Sequence, residues 1–159
     1  MLLKKFHDLI RAGRLLGGID PAHLRTLLSL AQEMNFKQGE VMFQEGDKPS
    51  YLYLLVAGDV ALDLSTAAGP FRVQTFGPGD AVGWSAIPRD QHAHFTARAL
   101  TDVSTVALPG DDVLSLCDHN PEIGYLLMRR LLELITDRLD STRLQLVRQA
   151  AETQSTAGR

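Results

Sequence analysis

Hydrophobic residues change their spacing twice along this chain, and the changes divide it into segments. In the first segment, residues 1–35, apolar residues recur at intervals of three and four: Leu24, Leu27, Leu28 and Ala31. That spacing places them on one face of a helix. Asp20 followed by Pro21 is a typical N-cap and first helical residue. We therefore predict N-terminal helices over residues 1–35.

Residues 36–109 show the alternation expected of β-strands. Val60, Leu62 and Leu64 alternate with Ala61, Asp63 and Ser65. Glycine-containing turns separate the apolar runs, for example around Gly46, Gly58 and Gly79. Several short strands with such turns predict a β-barrel or sandwich. Because helices flank this segment on both sides, the chain as a whole is assigned to the α+β class.

The third segment, residues 110–150, returns to helical spacing. Asn120 before Pro121 marks the start of a long helix. A seam on this helix repeats with 4-3-4-3-4 spacing: Met128, Leu132, Ile135, Leu139, Thr142 and Leu146. Such spacing is typical of a two-helix interface, although a seam can also pack on its own domain. A second apolar row lies beside it: Leu127, Leu131 and Leu134. We expect one row to face the β-domain and the other a second copy of the chain, forming a homodimer. The polar residues 151–159 are expected to be a frayed tail.

Composition narrows the class of protein. A length of 159 residues suits one domain with a helical appendage. The net charge of −3 argues against a nucleic-acid binder, and no stretch is apolar enough to span a membrane. The single cysteine, Cys117, excludes an internal disulfide and favours a cytoplasmic protein. No complete catalytic or metal-binding motif is visible, so we expect neither an enzyme, nor a metal site, nor a cofactor.

Four stretches of the chain resemble the cyclic-nucleotide-binding domain family of Crp/Fnr-type regulators. Residues 36–47, with the pattern G-E-V-x-F-x-E-G-D, resemble its opening strands, and residues 51–60 its next hairpin. Residues 76–80 resemble the approach to its phosphate-binding cassette, and residues 138–142 part of its dimer helix. The resemblance implies a jelly-roll-like β-barrel with N-terminal helices and a long C-terminal dimerisation helix.

The resemblance also implies where a ligand binds. In the family, backbone N–H groups of the cassette hold the cyclic phosphate, an acidic side chain holds the ribose, and an arginine pairs with the phosphate. Here the cassette is residues 82–88, the acidic position is Trp84, and the arginine position is Ala93. The dimer helix places Arg138 and Thr142 at positions that contact ligand in the family. The candidate ligand-binding residues are therefore Val82, Gly83, Trp84, Ser85, Ala86, Ala93, His94, Arg138 and Thr142.

Two features of this site have alternative interpretations. Trp84 either forms the aromatic wall of a pocket remade for another ligand or fills that pocket and closes it. If Ala93 faces inward, His92 and His94 face outward, because strand residues alternate. A register slip of one residue would instead turn both histidines inward.

These observations leave several functional hypotheses. The first is a sensor that binds a non-standard small ligand and signals through dimerisation. The alternatives are a dimerisation scaffold with a degenerate pocket and a true cyclic AMP or cyclic GMP receptor. A DNA-binding regulator would need about 50 further residues. Only nine residues follow Ala150, so we expect no direct DNA binding by this chain.

Overall fold

The computed structural model describes His7 and residues 13–158. Helices α1, α2 and α3 span Pro21–Leu28, Gly110–His119 and Pro121–Ala157. The eight strands, in chain order, are β1 Gln32–Phe36, β2 Val41–Phe43, β3 Tyr51–Ala57, β4 Val60–Thr66, β5 Gly69–Phe76, β6 Ala81–Val82, β7 Thr96–Ala99 and β8 Val103–Pro109. A 3-10 helix, Trp84–Ala86, follows β6.

The strands form two antiparallel four-stranded sheets. Their strand orders are β1-β8-β3-β6 and β2-β7-β4-β5. The α+β, jelly-roll-like arrangement is thus confirmed, but the two sheets are not closed into a barrel. One reason is that β6 contains only two residues, so little backbone is available to carry hydrogen bonds around that edge.

Strand β3 lies at the centre of the fold because both of its faces are buried. Tyr53 and Leu55 face the second sheet and pack in the core between the sheets. Leu52, Leu54 and Val56 face the helices and pack in a second core. This explains why β3 is an almost continuous apolar run, whereas β4 ends in exposed polar residues.

Helix α3 packs on the second core through the apolar row that includes Leu127, Leu131 and Leu134, all buried. The apolar members of the predicted seam are exposed on the same helix: Met128, Leu132, Ile135, Leu139 and Leu146. Tyr125 is also exposed and extends this seam by one step towards the N-terminus. The two rows therefore face different surroundings, as their sequence spacing predicted.

Helix starts were predicted better than segment ends. Asp20 accepts a hydrogen bond from Ala22 N at 2.8 Å, and Asn120 accepts one from Ile123 N at 3.3 Å, so both predicted caps are present. However, α1 ends at Leu28 and β1 begins at Gln32. The prediction of helix through residue 35 was therefore wrong at its end. The earliest part of that prediction lies outside the described residues.

The C-terminal boundary also differs from the prediction. Helix α3 continues to Ala157, so residues 151–157 are helical rather than a frayed tail. Alanine, glutamate and glutamine favour helix there, and no glycine or proline intervenes before Gly158. At about 1.5 Å per residue, the 37 residues of α3 extend about 55 Å. None of the described helices is both long enough and apolar enough to cross a membrane.

The packing of α3 generates a prediction for a matched pair of leucines. Leu131 is 6% exposed and Leu144 is 54% exposed. We expect Leu131→Ala to lower the free energy of unfolding by about 2–5 kcal/mol because it leaves a cavity in the core. We expect Leu144→Ala to change it by less than about 0.5 kcal/mol. Urea unfolding measures both, and equal losses would contradict this packing of α3.

Candidate ligand site

The cassette, residues 82–88, depends on a left-handed glycine. Gly83 has φ +86°, and a Cβ atom there would lie 2.6 Å from the carbonyl oxygen of Tyr51. Only glycine accommodates both the dihedral angle and the close approach. The chain thus turns sharply out of β6 and into the 3-10 helix, which brings Trp84 and Ser85 to the opening between the sheets.

Two hydrogen bonds close the 3-10 turn. The amide of Ala86 donates to Gly83 O at 3.0 Å, and the amide of Ile87 donates to Trp84 O at 3.1 Å. The N–H groups of Trp84 and Ser85 precede these donors and stay outside the hydrogen bonds of the turn. The expected presentation of backbone N–H groups is therefore compatible with this geometry.

Lys48 fixes the far end of the cassette, a contact that the sequence did not indicate. Its ammonium group donates to Ser85 O at 3.0 Å and also to Pro88 O. Both acceptors are carbonyls near the C-terminal end of the short helix, where a cation is favourable. Lys48 is 37 residues from Ser85, so no local sequence pattern signals this pairing.

A small cavity lies beside the cassette. Its lining residues come from the cassette, from β2 and β4, and from the segment before β7: Phe43, Leu62, Gly83, Trp84, Ser85, Ala93, His94 and Phe95. The cavity volume is about 20 Å³, which is room for about one water molecule. A nucleotide cannot enter without displacement of the surrounding side chains.

Ala93, which the resemblance aligns with the family's arginine, faces inward. It is buried, its amide donates to Asp47 O at 2.7 Å, and its carbonyl accepts from Gly46 N at 2.8 Å. His92 and His94 are exposed, although His94 also lines the rim of the cavity. Residues 92–94 precede β7 and are not part of a strand, so the alternation argued from the sequence does not apply there, although Ala93 is the buried residue of the three.

Arg138 of α3 lies over two aromatic rings at the cassette. Its guanidinium carbon is 3.4 Å from the ring centroid of Phe76 and 5.7 Å from that of Trp84. Both distances are within the range of cation–π attraction. Its Nη2 donates to Ala81 O at 3.4 Å, and its Nη1 is buried without a hydrogen-bond partner among the described residues.

This environment changes the pKa of the Arg138 guanidinium. Burial lowers the pKa of the guanidinium to about 10, and the Asp80 carboxylate opposes part of that fall. The group therefore stays protonated at neutral pH. A partly desolvated cation with one unpaired nitrogen can attract electron-rich rings and anions more strongly than an arginine in water.

The structure brings together only part of the predicted site. Gly83, Trp84, Ser85, Ala93 and His94 line the cavity. The remaining candidates do not line it: Val82, Ala86, Arg138 and Thr142. Val82 is core, Ala86 lines a different cleft, and Thr142 donates to Arg138 O within its own helix at 3.0 Å.

Gln145 was missed by sequence reasoning. Its side-chain amide donates to Val73 O at 2.7 Å and so ties α3 to β5 across 72 residues. Together with Arg138, it docks the helix beside the cassette. A glutamine on a helix carries no signal for such a contact, because most glutamines at such positions are solvated.

Comparisons with known proteins agree with this fold. Residues 33–120, more than half of the chain, match the family model described as "Cyclic nucleotide-binding domain". The solved structure of a cyclic nucleotide-binding domain from Methylobacillus flagellatus superposes with a TM-score of 0.80 over 92% of this chain and 83% of that chain. Its sequence identity is 20%, so this likeness is used for the fold alone.

The names of two of the matching relatives state what those proteins do. The CRP-like cAMP-activated global transcriptional regulator of Mycobacterium tuberculosis is 29% identical over 77% of this chain and 55% of its own length. The cyclic AMP receptor protein of Thermus thermophilus is 30% identical over 78% of this chain and 60% of its own length. The chain thus matches somewhat more than half the length of these relatives. It belongs to the cyclic nucleotide-binding domain family and is related to the CRP-like regulators.

Proposed function

We propose that this chain is a regulatory module that senses a small ligand other than cyclic AMP or cyclic GMP at the cassette and signals through a dimer formed by α3. The observation that carries this proposal is the placement of Trp84. An indole stands where the family has an acidic side chain, and it lines the cavity within cation–π distance of Arg138.

The binding free energy lost at two positions argues against tight binding of cyclic AMP or cyclic GMP. Indole donates a hydrogen bond but does not accept one from a ribose hydroxyl, and Ala93 offers no cation to a phosphate. A hydrogen bond to a charged group contributes about 1.5–3 kcal/mol. Losing two such contacts costs about 3–6 kcal/mol, which corresponds to two to four orders of magnitude in affinity.

A dimerisation scaffold is the second candidate. The cavity of about 20 Å³ supports it, because an indole that permanently fills the pocket leaves no room for a ligand. A scaffold and a sensor share the same fold and the same helix. They differ in whether the side chains around Trp84 move aside for a small molecule.

The surface of α3 supports dimerisation in both cases. The seam from Tyr125 to Leu146 exposes large apolar side chains along about six helical turns. Every described residue from Leu146 to Gly158 is exposed. A solitary helical extension of that length is marginal in water. A second copy packed along the seam would stabilise it and cover the apolar row.

Cyclic-nucleotide binding tests the altered cassette. We expect isothermal titration calorimetry to show no micromolar affinity of the wild-type chain for cyclic AMP or cyclic GMP. Trp84→Glu combined with Ala93→Arg restores both family side chains and is expected to raise the affinity, with Trp84→Glu alone as the control. Micromolar affinity of the wild-type chain for either nucleotide would overturn the non-standard ligand.

A thermal-shift screen separates sensor from scaffold. Nucleotides, haem and small metabolites are added separately at saturating concentration. A ligand present at 100 times its Kd stabilises the folded state by about 2.7 kcal/mol, so a sensor shows a clear rise in Tm with at least one compound. A robust dimer whose Tm responds to no compound in a broad screen would favour the scaffold.

Introducing a charge into the seam tests the dimer. We expect Leu132→Lys or Leu139→Lys to raise the dissociation constant. Each buried leucine contributes about 1.5–3 kcal/mol, or roughly 10- to 150-fold. Leu144→Lys makes the same change on an exposed face away from the seam and is expected to leave the dimer intact. Sedimentation equilibrium measures all three variants, and a wild-type monomer at micromolar concentration would rule out this interface.

A further inference from the structure

Trp84 lies close to two parts of the molecule, the small cavity and helix α3. It lines the small cavity together with Ala93 and Ser85. It is also within cation–π distance of Arg138 on α3. Arg138 itself does not line the cavity. A ligand in the cavity can therefore affect helix α3 through its contact with the indole ring.

We propose that Trp84 is a positioning residue that couples the cavity to α3: in the ligand-free protein the indole helps to hold Arg138, and displacement of the ring loosens the helix. The inference rests on the proposed function and specifies how the site is regulated. It assigns to Trp84 a contact between cassette and helix that a ligand in the cavity can alter.

The surroundings of Arg138 explain why the rings matter. Its hydrogen bond to Ala81 O is long, at 3.4 Å, and its Nη1 has no partner among the described residues. Among the described contacts of the guanidinium, those with Phe76 and Trp84 are therefore the main ones. Phe76 belongs to the core between the sheets and is held there by its packing. Trp84 is only partly buried and sits on a three-residue helix, so it is the ring that can move.

The direction of the effect follows from this arrangement. The ring lines the cavity and also lies within cation–π distance of the guanidinium. A ligand larger than the cavity has to displace lining side chains, because the volume available is that of about one water molecule, and the indole on its three-residue helix is the one that also contacts Arg138. The helix then keeps Phe76 and the Gln145 contact but loses the indole, and the equilibrium between docked and released helix shifts.

A double-mutant cycle in the ligand-free full chain tests the holding contact. The variants are Trp84→Leu, Arg138→Gln and their combination, and the readout is amide hydrogen exchange in residues 136–146. We expect each single change to speed exchange there by roughly two- to thirty-fold, the range of a cation–π interaction. The double variant is expected to be no faster than the faster single variant. Additive effects of the two changes would overturn the coupling.

Matched controls separate this contact from general loosening of the helix. Arg143→Gln makes the same change one and a half turns further on, at an exposed arginine, and should leave exchange near Arg138 unaltered. Arg138→Lys keeps the cation and should retain part of the protection. Trp84 is the chain's single tryptophan, so its emission reports this ring alone. Acrylamide quenching should increase in Arg138→Gln and stay unchanged in Arg143→Gln, and equal quenching in both would count against the contact.

Substitutions that fill the cavity test whether Trp84 couples the cavity to α3. Ala93→Leu adds three carbon atoms, which is more than the cavity holds, and Ala93→Val is a milder version in case the larger variant does not fold. We expect either to alter Trp84 emission and to speed exchange in residues 136–146. In a Trp84→Leu background the same substitution should leave those residues unchanged. An equal effect on α3 with and without Trp84 would show that the indole does not carry the signal.

These experiments use no ligand, so their outcomes differ from those that test the proposed function. If no compound raises the Tm but the effects of the Trp84 and Arg138 substitutions are not additive, the chain is a scaffold whose helix is held by Trp84. If a compound raises the Tm but the effects of the two substitutions are additive, the chain is a sensor whose site is coupled to α3 by other residues.

Discussion

The burial of one apolar row of α3 determines where every other group on that helix lies. Leu127, Leu131 and Leu134 must pack against the sheet that contains β3 and β8, and a helix has no freedom to rotate locally. One turn beyond Leu134, on the same face, Arg138 therefore arrives over Phe76 and Trp84. Two turns later Gln145 reaches Val73 of β5. The same constraint turns the seam away from the domain, which leaves it free for a second copy.

The cassette has a different kind of stability from the helix that it touches. Its shape depends on the positive φ of Gly83, two hydrogen bonds within a short turn, and the ammonium group of Lys48. These are local and partly solvent-exposed contacts, weaker than the packing of β3 between two cores. A segment built this way can change conformation without unfolding the sheets. The same contrast distinguishes the two aromatic rings near Arg138, because Phe76 packs in the core between the sheets whereas Trp84 lies on the cassette.

The sequence predicted the parts of the structure that local periodicity determines. The two rows of α3 and both helix caps follow from spacing and residue type, whereas the burial of Ala93 was one of two alternatives that the sequence left open. The end of the first segment was missed because Ala31 continues a helical stripe, whereas pairing of residues 32–36 with β8 makes them a strand. The contacts of Lys48 and Gln145 join residues 37 and 72 positions apart and depend on the assembled fold. For the same reason no pattern could show that Trp84 lies close to both the cavity and Arg138.

The residues that hold the fold together are different from those of the candidate ligand site. The largest fully buried side chains, such as Leu52, Leu108 and Leu127, belong to strands and helices that hold the sheets together. Trp84 and Arg138 are not among them, and both are only partly buried. The side chains at these two positions therefore contribute less to the packing of the sheets than the buried leucines do. A fold shared with nucleotide receptors is compatible with a cassette that does another task, because the two depend on separate sets of contacts.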